Sequence, residues 1–210
     1  MSRLISREYL ESQQYPSRKP SSLLDHDFDD EIPEKPRFAE EMLGELLPDG
    51  DISPQLFAER SDVPVPVRVA VIATRDMLGD RWYEWLARVS ERAGTRSNPK
   101  WPTPPVAECA TVAGVLRQLA NGTAIERSDI SALLKAIDAE LERIKYIRGT
   151  AVQKNALTVA YCALSCTTGE QQHDAVYVES LADNAALCAR STRVHDEYDR
   201  QLADAVELAQ

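Results

Sequence analysis

The chain has 210 residues, of which 43% are hydrophobic and 28% charged, with a formal net charge of −10; this is the make-up of a globular protein with one core of ordinary size and room for an added arm. No apolar run reaches the roughly eighteen residues that a membrane-spanning helix needs. The N-terminus, MSRLISREYLESQQYP, lacks the continuous apolar stretch of a secretory signal, so a cytoplasmic protein is expected.

Taken in order, residues 3–14 suit a short helix with Leu4, Ile5, Tyr9 and Leu10 as a small apolar patch that needs a surface to lie on. From Tyr15 to Arg37 proline, serine and aspartate dominate, so irregular chain is expected there. Phe38 to Leu47 reads as one helix. Pro54 to Arg60 reads as another, with Ser53 as its cap and Pro54 at the first helical position. Charge is concentrated in this part of the chain: between Asp25 and Asp51 eleven acidic residues face only Lys35 and Arg37, which leaves −9. The remainder is close to neutral. So acidic a segment does not contact a nucleic-acid backbone directly.

The stretch Val65 to Ala93 is the densest aliphatic run and holds Trp82 and Trp85. Its first valines alternate like an edge strand, but Val67, Val71, Thr74, Leu78, Trp82, Trp85 and Val89 recur at three and four, the longer and helical pattern. The spacing predicts one helix, with Asp62 as its cap, a weak point or kink at Gly79, and Gly94 in the left-handed position past its end, with two helices as the alternative. Trp82 and Trp85 then face the core. The proline-rich connection Thr95 to Pro105 is expected to cross the end of the domain with Trp101 pinned to the core.

Helices follow over Pro105 to Ala120, with Cys109, Val112, Leu116 and Leu119 on one face, and over Ser128 to Ile147, with Ile130, Leu134, Ile137, Leu141 and Ile144 at strict four-three spacing. Thr150 and Gln153 have the spacing of a capping box that restarts the chain. Thr150 to Thr168 is apolar on most faces, with Ala156, Ala160 and Ala163 permitting close approach, and belongs at the centre. The last segment, from about Gln172 to Leu208, changes phase, so a break is expected near Ser191 to Arg193.

Motifs for metals fail on chemistry. Asp25 to Pro36 has Asp25, Asp27 and Asp29 like a calcium loop, but Asp30 stands where glycine must turn and Pro36 where a glutamate must close the site. The Asp49 to Ser53 stretch fails likewise. His26, His173 and His195 each precede an aspartate, yet only fourteen residues follow Asp196, too few to finish a metal phosphohydrolase domain. Glu170 and His173 make one Glu-x-x-His without the second that a di-iron bundle requires. Cys109, Cys162, Cys166 and Cys188 are too few and scattered for a disulfide scaffold and read as small core residues. No phosphate loop, nucleophile elbow or His-Glu-x-x-His stretch occurs. Basic residues do not form a stripe with aromatics.

One fragment has enzymatic character. Arg190 and His195 are separated by four residues in a helical C-terminal segment. This resembles the Arg-x4-6-His signature of HEPN-type ribonucleases, all-α proteins. The resemblance implies metal-independent cleavage of RNA by Arg190 and His195, with a polar residue after the arginine that is Ser191 here.

The sequence as a whole reads as an all-α protein: an acidic, largely irregular N-terminal arm with short helices over 1–60, and a bundle of about five to seven helices over 61–210. The main functional expectation is a non-enzymatic interaction protein, in an immunity, antitoxin-like or assembly role. Leu23, Leu24, Asp27, Phe28, Asp29, Asp30 and Ile32 would anchor the arm on a protein partner with a basic surface. Under it no cofactor or metal, nucleic acid or membrane is required, and self-association is left open. The ribonuclease using Arg190 and His195 is the alternative.

Overall fold

The computed structural model describes residue 5 and residues 52–100, 102–168 and 171–210, with the backbone alone for 171–176. These form nine helices, eight of them within 61–210, where five to seven are expected, and no strand is present among the described residues. The fold class is all-α. No helix among these residues is long and apolar enough to cross a membrane.

Helix α1, Pro54–Ala58, starts as the sequence requires: Pro54 has no N–H to leave unpaired, and the Ser53 hydroxyl accepts from the Leu56 amide at 3.3 Å. The long helix expected over Val65 to Ala93 is instead three: α2 (Val65–Ile72), α3 (Arg75–Leu78) and α4 (Arg81–Gly94). Thr74 is extended and its hydroxyl accepts from the Met77 amide, so it acts as a cap in mid-pattern. In an unbroken helix the Met77 amide would bond the Ala73 carbonyl. The break frees that carbonyl, and the buried Trp82 indole donates to it at 3.2 Å. Gly79, at φ 60° and ψ −137°, makes the second break in a conformation that side chains disfavour. The apolar stripe survives both breaks, since Val71, Leu78, Trp82, Trp85 and Val89 are all buried.

Helix α4 lies against α5 (Ala107–Ala120), α7 (Ala151–Ser165), α8 (Gln171–Ser191) and α9 (Glu197–Leu208). Helix α7 is the second hub, touching α4, α5, α6 (Arg127–Ile144) and α8, and its Ala156, Ala160 and Ala163 are fully buried, as their small size anticipates. Gly94 has a different role from the one expected. It sits in the last turn of α4, where a Cβ would fall 2.3 Å from Cβ of Cys109, so its missing side chain is what lets α4 and α5 touch. The Val106 amide closes the 95–106 connection on the Gly94 carbonyl at 2.8 Å. Asn98 meanwhile reaches the Ser191 carbonyl at 2.9 Å, carrying the connection past the end of α8. Trp101 lies outside the described residues.

The stripe of α6 behaves as its spacing predicts: Ile130, Ile137 and Ile144 are buried against α7, with Leu134 and Leu141 half-buried beside them. Thr150 does not cap α7. Its hydroxyl turns back to donate to the Ile147 and Ile144 carbonyls at 2.7 and 3.3 Å, closing the end of α6. The break after α8 falls where the phase change places it. The Val194 amide bonds the Ala189 carbonyl and the Arg193 amide the Arg190 carbonyl, with Arg193 at φ 64°, the pattern of a Schellman turn with arginine in the glycine position.

Of residues 1–51 only residue 5 is described, and it lies in this core. Ile5 is fully buried and pairs antiparallel with Ile52 through bonds of 2.7 and 2.8 Å, so it is extended and not helical. The remaining expectations for residues 1–51 lie outside the described residues.

The two glycines separate conformational strain from crowding. Gly79→Ala is expected to lose about 1–3 kcal/mol through its positive φ alone, since a Cβ there meets nothing within 4 Å. Gly94→Ala is expected to lose about 1–3 kcal/mol through overpacking against Cys109. Urea unfolding measures both, and wild-type stability in Gly79→Ala would show that α3 and α4 are continuous.

Candidate functional site

The arm residues singled out from the sequence, Leu23, Leu24, Asp27, Phe28, Asp29, Asp30 and Ile32, lie outside the described residues, as do Asp25 to Pro36, Asp49 to Asp51 and Glu170. What is described is the base of the arm. Ile5 and Ile52 exchange both backbone hydrogen bonds, Ile5 is fully buried, and Ile52 packs against the core. This pairing holds the two ends of the 6–51 segment together; the acidic run itself lies outside the described residues. Sequence patterning could not reveal this, because it depends on two residues 47 positions apart finding each other.

Arg190 and His195 lie on either side of the Schellman turn, Arg190 in the last turn of α8 and His195 in the connection to α9. Both are exposed, and among the described residues no hydrogen bond or ion pair joins them to each other or to Asp199. Below them Tyr198 donates to the Asp183 carboxylate at 2.6 Å. Burial, and then that carboxylate, hold its phenol well above the ordinary tyrosine range, so it stays protonated.

The most organised polar cluster joins α4 to α9 and α5. Arg88, Arg92 and Arg96 recur every fourth residue and so line up along α4 and its end; Glu197, Gln201 and Asp204, spaced four and three apart, share one face of α9. Glu197 is only 3% exposed, a cost that paired arginines must offset. Arg92 reaches it at 3.1 and 3.2 Å and Arg96 at 2.6 Å. Asp204 accepts from Arg92 and from Arg88 at 3.2 Å, and Arg88 holds Glu207 with a two-pronged bond at 3.1 and 3.2 Å and Glu84 at 3.2 Å. Arg117 of α5 completes the set through Glu84 at 3.3 Å and Glu91 at 2.6 Å. The bond to Glu207 holds Arg88 above its ordinary value, and Arg88 in turn pulls Glu207 below its own. Arg117 likewise lowers Glu91. Each carboxylate of this cluster is committed to an arginine, so the cluster serves as a strut and offers no free base. The four-residue spacing was legible in the sequence. The partners were not, because they lie about a hundred positions away.

The four cysteines are free and buried. Burial pushes the Cys109 thiol up to about 12 and the Cys188 thiol to about 11, and raises Cys162 as well, so none of these three is a nucleophile at neutral pH. No group of three or more His, Cys, Asp or Glu that could hold a metal ion occurs among the described residues. Comparison of the chain with protein-family models, with curated proteins and with solved structures finds no match.

Glu91 and Glu207 lie below the ordinary glutamate value of 4.5 in the folded chain. Such groups contribute stability that is complete above the unfolded-state value and is lost as pH falls through the folded-state one. The share of stability from Glu91 and Glu207 should be full at neutral pH and be lost as pH falls through and below 4.5. Arg88→Met removes the Glu207 share, so its urea midpoint is expected to be lower at neutral pH and its acid decline shallower than that of the wild type. Parallel curves for the two proteins would contradict the coupling.

Proposed function

We propose that this chain is a non-enzymatic interaction protein which presents its acidic segment, Asp25 to Asp51, to a protein partner with a basic surface. The observation that carries the reading is the Ile5–Ile52 pairing. A segment tied at both ends has fewer conformations to lose than a free tail, so ordering on a partner costs it less. Its charge of −9 speeds the encounter with a basic surface and disfavours acidic ones. The apolar residues Leu23, Leu24, Phe28 and Ile32 supply anchors once the encounter is made.

A second line of support comes from the charges of the bundle. Arg60, Arg88, Arg92, Arg96, Arg117, Arg143, Lys145 and Arg200 already hold carboxylates of the bundle itself. Those cations are partly neutralised before the acidic segment could reach them, which favours an external partner over the chain's own surface. The ribonuclease reading keeps one favourable feature: Arg190 and His195 are both open to solvent.

Truncating residues 1–37 would remove buried Ile5 and confuse partner loss with unfolding. Replacing residues 8–49 by a short Gly/Ser linker keeps both ends of the pairing. The linker variant is expected to keep a urea midpoint no lower than that of the wild type, since the shorter loop costs slightly less to close. It should also fail to retain a basic protein that the intact chain captures from its source cell and releases at high salt. Equal capture by both proteins would contradict the proposal. Metal-independent cleavage of RNA that disappears in His195→Ala would replace it with the ribonuclease reading.

A further inference from the structure

A cleft of about 510 Å³ opens where the first turns of α4 and α6 meet the last turns of α5 and α7. That volume is in the range of sites for small organic molecules. Leu119, Ile125 and Ile130 supply its apolar lining. Leu119 shares a helical face with Cys109, Val112 and Leu116, which are fully buried, yet it is only half-buried and stands outside the core they form. The stripe of α5 therefore runs out of the core and into the cleft.

The polar groups on the walls are few and complementary in kind. The Tyr83 hydroxyl accepts from Arg75 at 2.7 Å, which leaves its own O–H to donate. The Arg75 guanidinium lies 5.3 Å from the centre of the Tyr83 ring and 4.7 Å from that of Trp82, so the ring is held in place. Thr167 and Thr168 spend their hydroxyl hydrogens on the Leu164 and Ser165 carbonyls at 2.7 and 3.0 Å, so toward the cleft they act as acceptors. Arg127 stands at the rim, exposed, and forms no ion pair among the described residues. No carboxylate is among the described lining residues.

We infer that this cleft binds a small molecule with an aromatic or branched aliphatic body and one anionic group. The body lies on Leu119, Ile125 and Ile130, the anionic group faces Arg127, and a ligand hydroxyl or amine faces the threonines. A neutral analogue keeps the apolar contact and loses the charge-assisted bond, so discrimination between the two isolates the role of Arg127.

Titration of the full chain with 1-naphthoate and with its neutral amide, followed by amide chemical shifts, tests this site. Expected are saturable binding of one naphthoate per chain, shifts centred on Tyr83, Ile125, Arg127 and Ile130, and a preference for naphthoate over the amide of about two- to fivefold, the scale of one exposed ion pair. Arg127→Gln should abolish that preference while leaving binding of the amide unchanged. Leu119→Trp should fill the cleft and weaken both probes, with the folded spectrum retained in each variant. Absence of saturable binding, shifts centred elsewhere, or an undiminished preference in Arg127→Gln would overturn the assignment.

Discussion

The hydrogen bond from the Trp85 indole to the Gln201 carbonyl, 3.0 Å long and wholly buried, fixes the arrangement on which the other contacts depend. A buried indole N–H left without an acceptor costs about 1–3 kcal/mol, so Trp85 can be fully enclosed only where another backbone offers a carbonyl. That requirement sets helix α9 against α4 across 116 positions of sequence. With the two helices in this register, the arginines spaced by four on α4 come level with Glu197, Asp204 and Glu207 on α9. Trp82 poses the same demand one turn earlier and meets it with the Ala73 carbonyl, which is available only because α2 has ended. Two large side chains thus account for both the position of α4 and the interruption of the helical run before it.

Features that rest on local periodicity were legible in the sequence. The four-three spacing of Ile130, Ile137 and Ile144 placed α6, the serine and proline at 53 and 54 placed the start of α1, and the phase change near Ser191 placed the turn before α9. Features decided by competition for a hydrogen bond were not. Thr74 sits on the apolar stripe and reads as helix interior, but its hydroxyl is worth more as a cap once Trp82 claims the Ala73 carbonyl. Thr150 has the spacing of a capping box and turns instead to the carbonyls that end α6. Gly94 looks like a terminator and is in fact a point of close contact, which only the position of Cys109 reveals. Of the candidate sites, the ends of the arm and the partners of the arginine series both require long-range pairing, which a one-dimensional pattern does not carry.

Charge and architecture divide along the same line. The bundle matches its arginines with its own carboxylates, chiefly along the α4–α9 seam, while the excess of negative charge sits in the segment between Ile5 and Ile52. Within the bundle, electrostatics therefore tightens helix packing. The cleft beside Arg127 is lined by none of the residues of the α4–α9 seam and mixes apolar side chains with hydroxyls and one arginine.

Hydrogen exchange at the Ile5 amide tests most directly whether the acidic segment is closed on the bundle. If Ile5 and Ile52 are paired as described, their amides are protected and open with the same free energy, in step with the α1 region that Ile52 leads into. Exchange of Ile5 at the rate of an unstructured chain, while the core amides of α4 remain protected, would show that the N-terminal segment is tied at one end only and would contradict the closed-loop presentation proposed for it.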